Sequence, residues 1–252
     1  MSSLYIPKGR AREYSPLALN YHAGCCSVGC KYCFARAIVR GAAPRLNPQK
    51  VMDDLEKSVR KIPPAQVLLN FLHDPYEPIC APITRGVIRT LAAGGFPVAV
   101  LSKCLSASLE DVNLFRSIPL LKIGTTLTCD NDADSRKWEP GADTPEKRLA
   151  IIQGYAVMGI KTFVSFEPVL YPAQTLRMIR KVAGFVSEIK IGRWNHSAQS
   201  ARINWRDFGV QAVNLARELK LNFYVKEDLR AAMPGFIFTE QESNFRLHEL
   251  LP

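Results

Sequence analysis

The sequence predicts an α/β fold in which one parallel sheet is covered by helices, either closed into a barrel or left open as a doubly wound sheet. Three observations predict it. Short apolar runs of β character alternate along the whole chain with amphipathic stretches of helical period, and that alternation builds βαβ units. The 252 residues suit a barrel of ordinary size. Several apolar runs also end in polar residues, at the sheet edge where both architectures collect their catalytic groups.

The β-like runs are 17–22, 66–72, 97–101, 122–127, 162–166, 187–191 and 222–225. Helical period occupies 47–61, 83–93, 109–116, 145–158, 173–182 and 205–220. Two helix starts carry an explicit signal. Asn47 before Pro48, and Thr144 before Pro145, put a side-chain acceptor at the N-cap and a proline at the first helical position, where its missing N–H is not needed. The polar run ends are His73 with Asp74, Ser102 with Lys103, Thr128 with Asp130, Glu167, Arg193 with Asn195, and Lys226 with Glu227. Any one of these reads as an ordinary loop residue, but their repetition at six ends reads as a site. No repeat or linker divides the chain, so one domain over 1–252 is expected, with a core at about 17–226. The tail 231–252, carrying Phe236, Phe238, Phe245 and Leu250, is expected to close the bottom or the open side of the barrel.

Composition bounds the function. The apolar fraction of 47% is too high for a disordered polymer, and a chain this long needs no disulfide or structural metal to fold. No apolar run approaches the roughly 18 residues that cross a bilayer, and the opening segment lacks a secretory h-region. A soluble cytoplasmic protein is expected, with no membrane partner. In that reducing compartment seven cysteines, four of them within 25–33, point to a metal or cluster rather than to disulfides. The 33 Lys and Arg against 23 Asp and Glu leave a net charge of +10, which suits an anionic partner such as nucleic acid. The cations are scattered, and the surplus reads equally as a solubility feature.

Cys26, Cys30 and Cys33 form a C-x3-C-x2-C motif directly after the first β-like run. Such spacing wraps a short loop around one cluster so that three thiolates converge, and Gly24 and Gly29 permit the left-handed turns that the loop requires. Three ligands on a four-iron cube leave one iron open, and an open position turns a bound metal into a catalyst. Other readings of the same thiols remain. Cys25, Cys30 and Cys33 have the plant-type ferredoxin spacing, which Cys80, Cys104 or Cys129 could complete as a closed carrier, and four thiols also suit structural zinc.

The motif, with aromatic Tyr32 before its last cysteine, resembles that of the radical S-adenosylmethionine (SAM) superfamily, whose core is a partial (β/α)6 TIM-type barrel. Asn20, the cysteine loop and Ala35-Arg36, together with His73-Asp74-Pro75-Tyr76, resemble the spore photoproduct lyase branch over roughly two thirds of the chain. The resemblance implies a [4Fe–4S] cluster on Cys26, Cys30 and Cys33, with SAM on its open iron. It implies reductive cleavage of SAM to methionine and a 5′-deoxyadenosyl radical, with an electron donor such as flavodoxin or ferredoxin. Lys103 resembles the lysine that meets the SAM carboxylate, and Arg148, after Glu139-Pro140, is a second cation candidate. Tyr32 and Phe34 are expected to flank the adenine, and Thr126 to bond the ribose or tail. Asp74 and Glu167 complete the candidate cofactor contacts.

One position departs from the branch. Where those lyases carry the cysteine that returns hydrogen to the repaired thymine, this chain has Phe71. Cys80, Cys104 and Cys129 are the candidate hydrogen donors in its place, although each also reads as a buried apolar thiol. Trp194 and His196 read either as cavity lining or as packing and loop. The first functional expectation is a radical SAM enzyme, lyase-like, acting on a nucleic acid or nucleotide. The second is the same chemistry on a peptide or small metabolite, and the third is a non-enzymatic iron–sulfur or zinc protein.

Overall fold

A computed structural model describes residues 4–21, 26–35, 47–195 and 197–252. His22, Gly24, Cys25, Arg36 and His196 lie outside the described residues. Eight strands form one sheet: β1 Leu4–Tyr5, β2 Leu17–Leu19, β3 Val67–Leu69, β4 Val98–Leu101, β5 Leu121–Thr126, β6 Lys161–Phe166, β7 Glu188–Ile191 and β8 Phe223–Val225. Their spatial order is their chain order. β1 runs antiparallel to β2, and every later pair is parallel, with Leu19 beside Leu69, Leu69 beside Val100, and Thr126 beside Ser165. A doubly wound sheet reverses its strand order at a switch point, whereas a monotonic order keeps all crossovers on one side and curls the sheet toward a barrel. The architecture is therefore a partial TIM-type barrel.

Strands β2, β3 and β8 are buried at every residue, as expected of parallel strands covered by helices outside and by side chains within. The seven β-like runs of the sequence become the seven parallel strands β2 to β8, one more than the (β/α)6 core that the resemblance implies, and the short β1 is added, whose two residues are too few for periodicity to register. Both N-caps form as expected: Asn47 accepts from the Lys50 amide at 3.0 Å, and Thr144 from the Lys147 amide at 3.3 Å. The expected helix at 109–116 is broken into a 3-10 turn and the helix Val112–Ser117. An unexpected helix, Asp132–Trp138, is capped by Asn131.

The barrel is open between its edge strands β1 and β8, and the segment Gly9–Glu13 bridges toward β8 by side-chain bonds. The Tyr224 hydroxyl and the Glu227 amide donate to Glu13 at 2.7 and 2.8 Å, and Arg10 pairs with Asp228 at 3.1 Å. At the N-terminal end of the strands the tail forms a floor. Lys122 donates to the His248 carbonyl at 2.5 Å and pairs with Glu188 at 3.0 Å, Lys190 pairs with Glu188 at 2.9 Å, and the Leu250 amide donates to Gln66 at 2.9 Å. These bonds lay the segment around His248 and Leu250 against the bottom of the barrel. No described helix is long and apolar enough to cross a membrane.

Candidate functional site

Residues at the C-terminal ends of the parallel strands border one cavity of about 460 Å³. Cys26, Cys30 and Cys33 all reach it, and all three thiols are free. Their loop is shaped by its own backbone and by two neighbouring elements. Gly29 takes the expected left-handed conformation at φ +66°, and the Gly29 and Cys33 amides each donate at 3.2 Å, to the Cys26 and Cys30 carbonyls. The Lys31 amide donates to the Trp138 carbonyl at 2.9 Å, and the Gly141 amide to the Val28 carbonyl at 3.0 Å. A Cβ on Gly141 would lie 2.5 Å from the Ser27 carbonyl oxygen, so only glycine allows this approach. On the other side, Glu77 accepts from the Ser27 amide at 2.7 Å and from its hydroxyl at 2.6 Å, and also pairs closely with His73.

Burial pushes the Cys26 thiol up to about 12. Its thiolate form therefore needs a cation at the sulfur, which a metal provides. Cys26, His73 and Glu77 bring one ligand atom each within 4.8 Å of one another, but Glu77 already binds His73 and Ser27.

The expected cofactor residues divide into three groups. Tyr32, Phe34, Asp74, Lys103, Thr126 and Glu167 border the cavity with the cysteines. The Lys103 ammonium lies 5.8 Å from the Tyr32 ring centroid and has no ion-pair partner among the described residues. Burial works against its charge, but Cys30, Glu139 and Asp74 more than offset this and leave it firmly protonated. Asp74 and Glu167 are engaged with the protein itself. Asp74 accepts from the Ser102 hydroxyl and the Lys103 amide, both at 2.6 Å, and from the Tyr76 amide at 3.0 Å, latching the end of β3 to the end of β4. Glu167 accepts from Tyr14 at 3.0 Å and pairs closely with Lys226, whose ammonium lies 4.2 Å from the Tyr14 ring centroid.

Arg148 corrects the expectation of a second cofactor cation. It is fully buried behind the wall, pairs with Glu139 at 2.7 Å and donates to the Thr126 carbonyl at 2.6 Å, away from the cavity lining. Glu139 also accepts from the Tyr32 and Thr128 hydroxyls. Arg148 therefore supports Tyr32 and Thr126 from outside.

The three candidate hydrogen donors also lie off the lining. Cys80 sits at 0% exposure against Glu77 at 3.6 Å, Cys129 is fully buried beside Thr128, and Cys104 faces the Gly141 carbonyl at 3.8 Å. Burial pushes the Cys129 thiol up to about 12 and raises those of Cys80 and Cys104 as well. Phe71, at the departing position, joins Tyr14 and Phe34 in an aromatic row with ring centroids 5.9 Å apart at each step. Trp194 both packs edge-on against Trp138 at 5.4 Å and borders the cavity. Tyr14, Asn70 and Gly141 carry no signal in the sequence that marks them for the site.

No family model and no curated protein matches the chain. Solved structures do. A spore photoproduct lyase mutant holding dinucleoside spore photoproduct superposes with a TM-score of 0.67 at 11% identity, over 87% of this chain and 78% of the lyase. A second lyase structure, with bound AdoMet and the same dinucleoside, gives 0.64 at 12% identity over 88% and 79%. Streptococcus suis SuiB bound to its precursor peptide SuiA gives 0.64 at 12% identity, covering 88% of this chain and 53% of SuiB, so this chain spans about half of that protein. The class that these likenesses define is the α/β partial barrel of the radical SAM fold. Within it, the chain has the spore photoproduct lyase-like fold.

Proposed function

We propose that this protein is a radical SAM enzyme that acts on a nucleic acid or nucleotide. The observation that carries the reading is the convergence of Cys26, Cys30 and Cys33 on one cavity that also holds an unpaired lysine, Lys103, with no fourth cysteine among the described residues lining it. Three thiols suit a [4Fe–4S] cluster with one open iron, and among the described residues a closed carrier or a four-thiol zinc site lacks its last ligand in this cavity. When bound, the cluster and SAM supply a 5′-deoxyadenosyl radical to the substrate.

The chain's own residues position and shield. Lys103 offers its ammonium to the SAM carboxylate, a charge-assisted bond in a half-buried place. Tyr32 and Phe34 give flat apolar surface for the adenine, and the Arg148–Glu139 pair fixes Tyr32 from behind. The aromatic row Phe34, Phe71 and Tyr14 offers stacking surface to a substrate base. Phe71 replaces the thiol of the lyases, and Cys80, Cys104 and Cys129 are outside the lining, so hydrogen return from a protein cysteine is not part of this reading. A small reductant of the flavodoxin or ferredoxin class would deliver the electron in the cytoplasm.

Anaerobic reconstitution followed by dithionite and SAM tests it. The expected result is iron with sulfide in the protein and release of 5′-deoxyadenosine, with Cys30→Ala at background. A cluster-loaded sample that yields none overturns the proposal. Nucleic-acid affinity that is absent, or indifferent to salt, replaces the substrate with a peptide or small metabolite.

A further inference from the structure

The cavity's cations are not equally neutralised. Lys226 is paired with Glu167 and Glu13, and Arg10 with Asp228. Arg193, which follows β7, has no ion pair among the described residues, and its Nε is buried without a hydrogen-bond partner. Its guanidinium stands 5.4 Å from the Trp205 ring centroid. Trp205 is itself fixed, donating to the Ser200 carbonyl at 2.9 Å and packing edge-on against Phe208. The Arg193 carbonyl accepts from Asn195 at 2.8 Å, which holds the backbone too. An arginine held this firmly on an aromatic shelf at the cavity's border, with the lining carboxylates Asp74 and Glu167 engaged elsewhere, is a preorganised fork for an incoming anion.

A second unmet group borders the same cavity. Asn70, after β3, is 6% exposed, and neither its Oδ1 nor its Nδ2 has a partner among the described residues. Folded proteins seldom leave both ends of a buried amide unbonded. Asn70 adjoins Phe71, the middle of the aromatic row, so its donor and acceptor lie next to the surface on which a planar ring would stack. Lys103 follows β4 and Arg193 follows β7, so these two cations, neither of them in an ion pair among the described residues, stand three strands apart around the mouth.

We propose that Arg193 anchors a phosphate of the substrate and that Asn70 reads the polar edge of the attached base, so that a nucleotide lies across the cavity between the β7 end and the cysteines. This deepens the nucleotide reading above and rests on it. A carboxylate would also fit the arginine fork, but the aromatic row and the amide beside it favour a phosphate that carries a base.

The test uses cluster-loaded protein under anaerobic conditions, with fluorescein-labelled hexathymidylate followed by anisotropy across a sodium chloride series. Thymidine, thymidine 5′-monophosphate, inorganic phosphate and a glutamate-rich hexapeptide serve as competitors. Arg193→Gln is expected to weaken hexathymidylate binding about tenfold and to reduce the salt slope by about one, with Arg193→Lys keeping part of the affinity. The monophosphate should compete better than thymidine in the native protein, and that advantage should vanish in Arg193→Gln. Asn70→Leu should weaken both the hexamer and thymidine without lowering the melting temperature, because it removes an unbonded amide rather than a structural contact. It keeps the proposal testable if Arg193→Gln fails to fold. SAM affinity should be unchanged in all variants.

Equal affinity for the monophosphate and the hexamer assigns a free nucleotide, and tighter hexamer binding assigns a strand; either keeps the anchor. Unchanged affinity and salt slope in Arg193→Gln, or a hexapeptide that outcompetes the monophosphate, overturns it. Binding is measured without SAM or reductant, so a failed 5′-deoxyadenosine assay sinks the cofactor reading alone. An intact assay with no Arg193 effect sinks only this proposal.

Discussion

Glu139 Oε2 lies 2.7 Å from Arg148 Nη2, both side chains are withdrawn from water, and the pair holds the cysteine loop and the end of β5 together. Glu139 takes the Tyr32 hydroxyl while Arg148 takes the Thr126 carbonyl. Burial opposes the charge of Glu139, but Arg148 and Lys103 outweigh it and hold its carboxyl below the usual range.

Removing one partner leaves the other charge buried and uncompensated. Arg148→Ala is therefore expected to destabilise the fold by about 3–5 kcal/mol. The double variant Arg148→Met with Glu139→Leu should recover part of that loss, because it removes both charges. Urea midpoints of the native protein and the two variants check this.

Gly141→Ala should push the cysteine loop off its seat. The new Cβ meets the Ser27 carbonyl oxygen at 2.5 Å and the Val28 Cα at 2.9 Å, both backbone atoms that cannot swing aside. A cost of about 1–3 kcal/mol is expected, with less iron retained per chain after reconstitution. Iron analysis beside thermal melting measures both effects.

The thiols should separate into two kinds. Alanine at Cys26, Cys30 or Cys33 should abolish iron retention. Alanine at Cys80 or Cys129, which lie outside the cavity lining, should leave iron content intact and cost about 0.5–3 kcal/mol through lost packing. Iron loss in Cys80→Ala would place a fourth ligand there.

Acid should attack the barrel floor. Burial opposes the charge of Glu188, but Lys190, Lys122 and His248 hold its carboxyl at about 2, against an ordinary 4.5. Its contribution is complete above 4.5 and is lost as pH falls toward 2, where the folded form must finally take up the proton. His248 acts in the same direction earlier. Burial lowers its pKa below 6.5, so the unfolded chain binds the proton first. Urea midpoints should fall with acidification across this range, and Glu188→Gln should flatten the lower part.

The sequence displays the sheet well because parallel strands buried on both faces are written as mainly apolar runs, continuous in 97–101 and broken only by small hydroxyl residues in 162–166. β1 is invisible, since two residues have no period. The cysteine motif and the strand-end residues Lys103, Asp74 and Glu167 are legible because chain order alone puts them at one edge. Arg148 misleads because a helix arginine looks the same whether it faces water or Glu139. Tyr14 and Gly141 are silent for a related reason. Their roles come from Ser165 and Ser27, far away in the chain and brought near only by the curled sheet.

The cysteine loop is tied to Trp138, Gly141 and Glu77 by the protein's own hydrogen bonds. Its shape is thus set by the barrel, unlike a zinc finger, whose metal is its folding energy. Little ordering entropy remains to be lost when iron arrives, so loading and loss of the metal become reversible events on a standing scaffold. A chelator should strip the protein of its chemistry and leave its melting temperature nearly where it was.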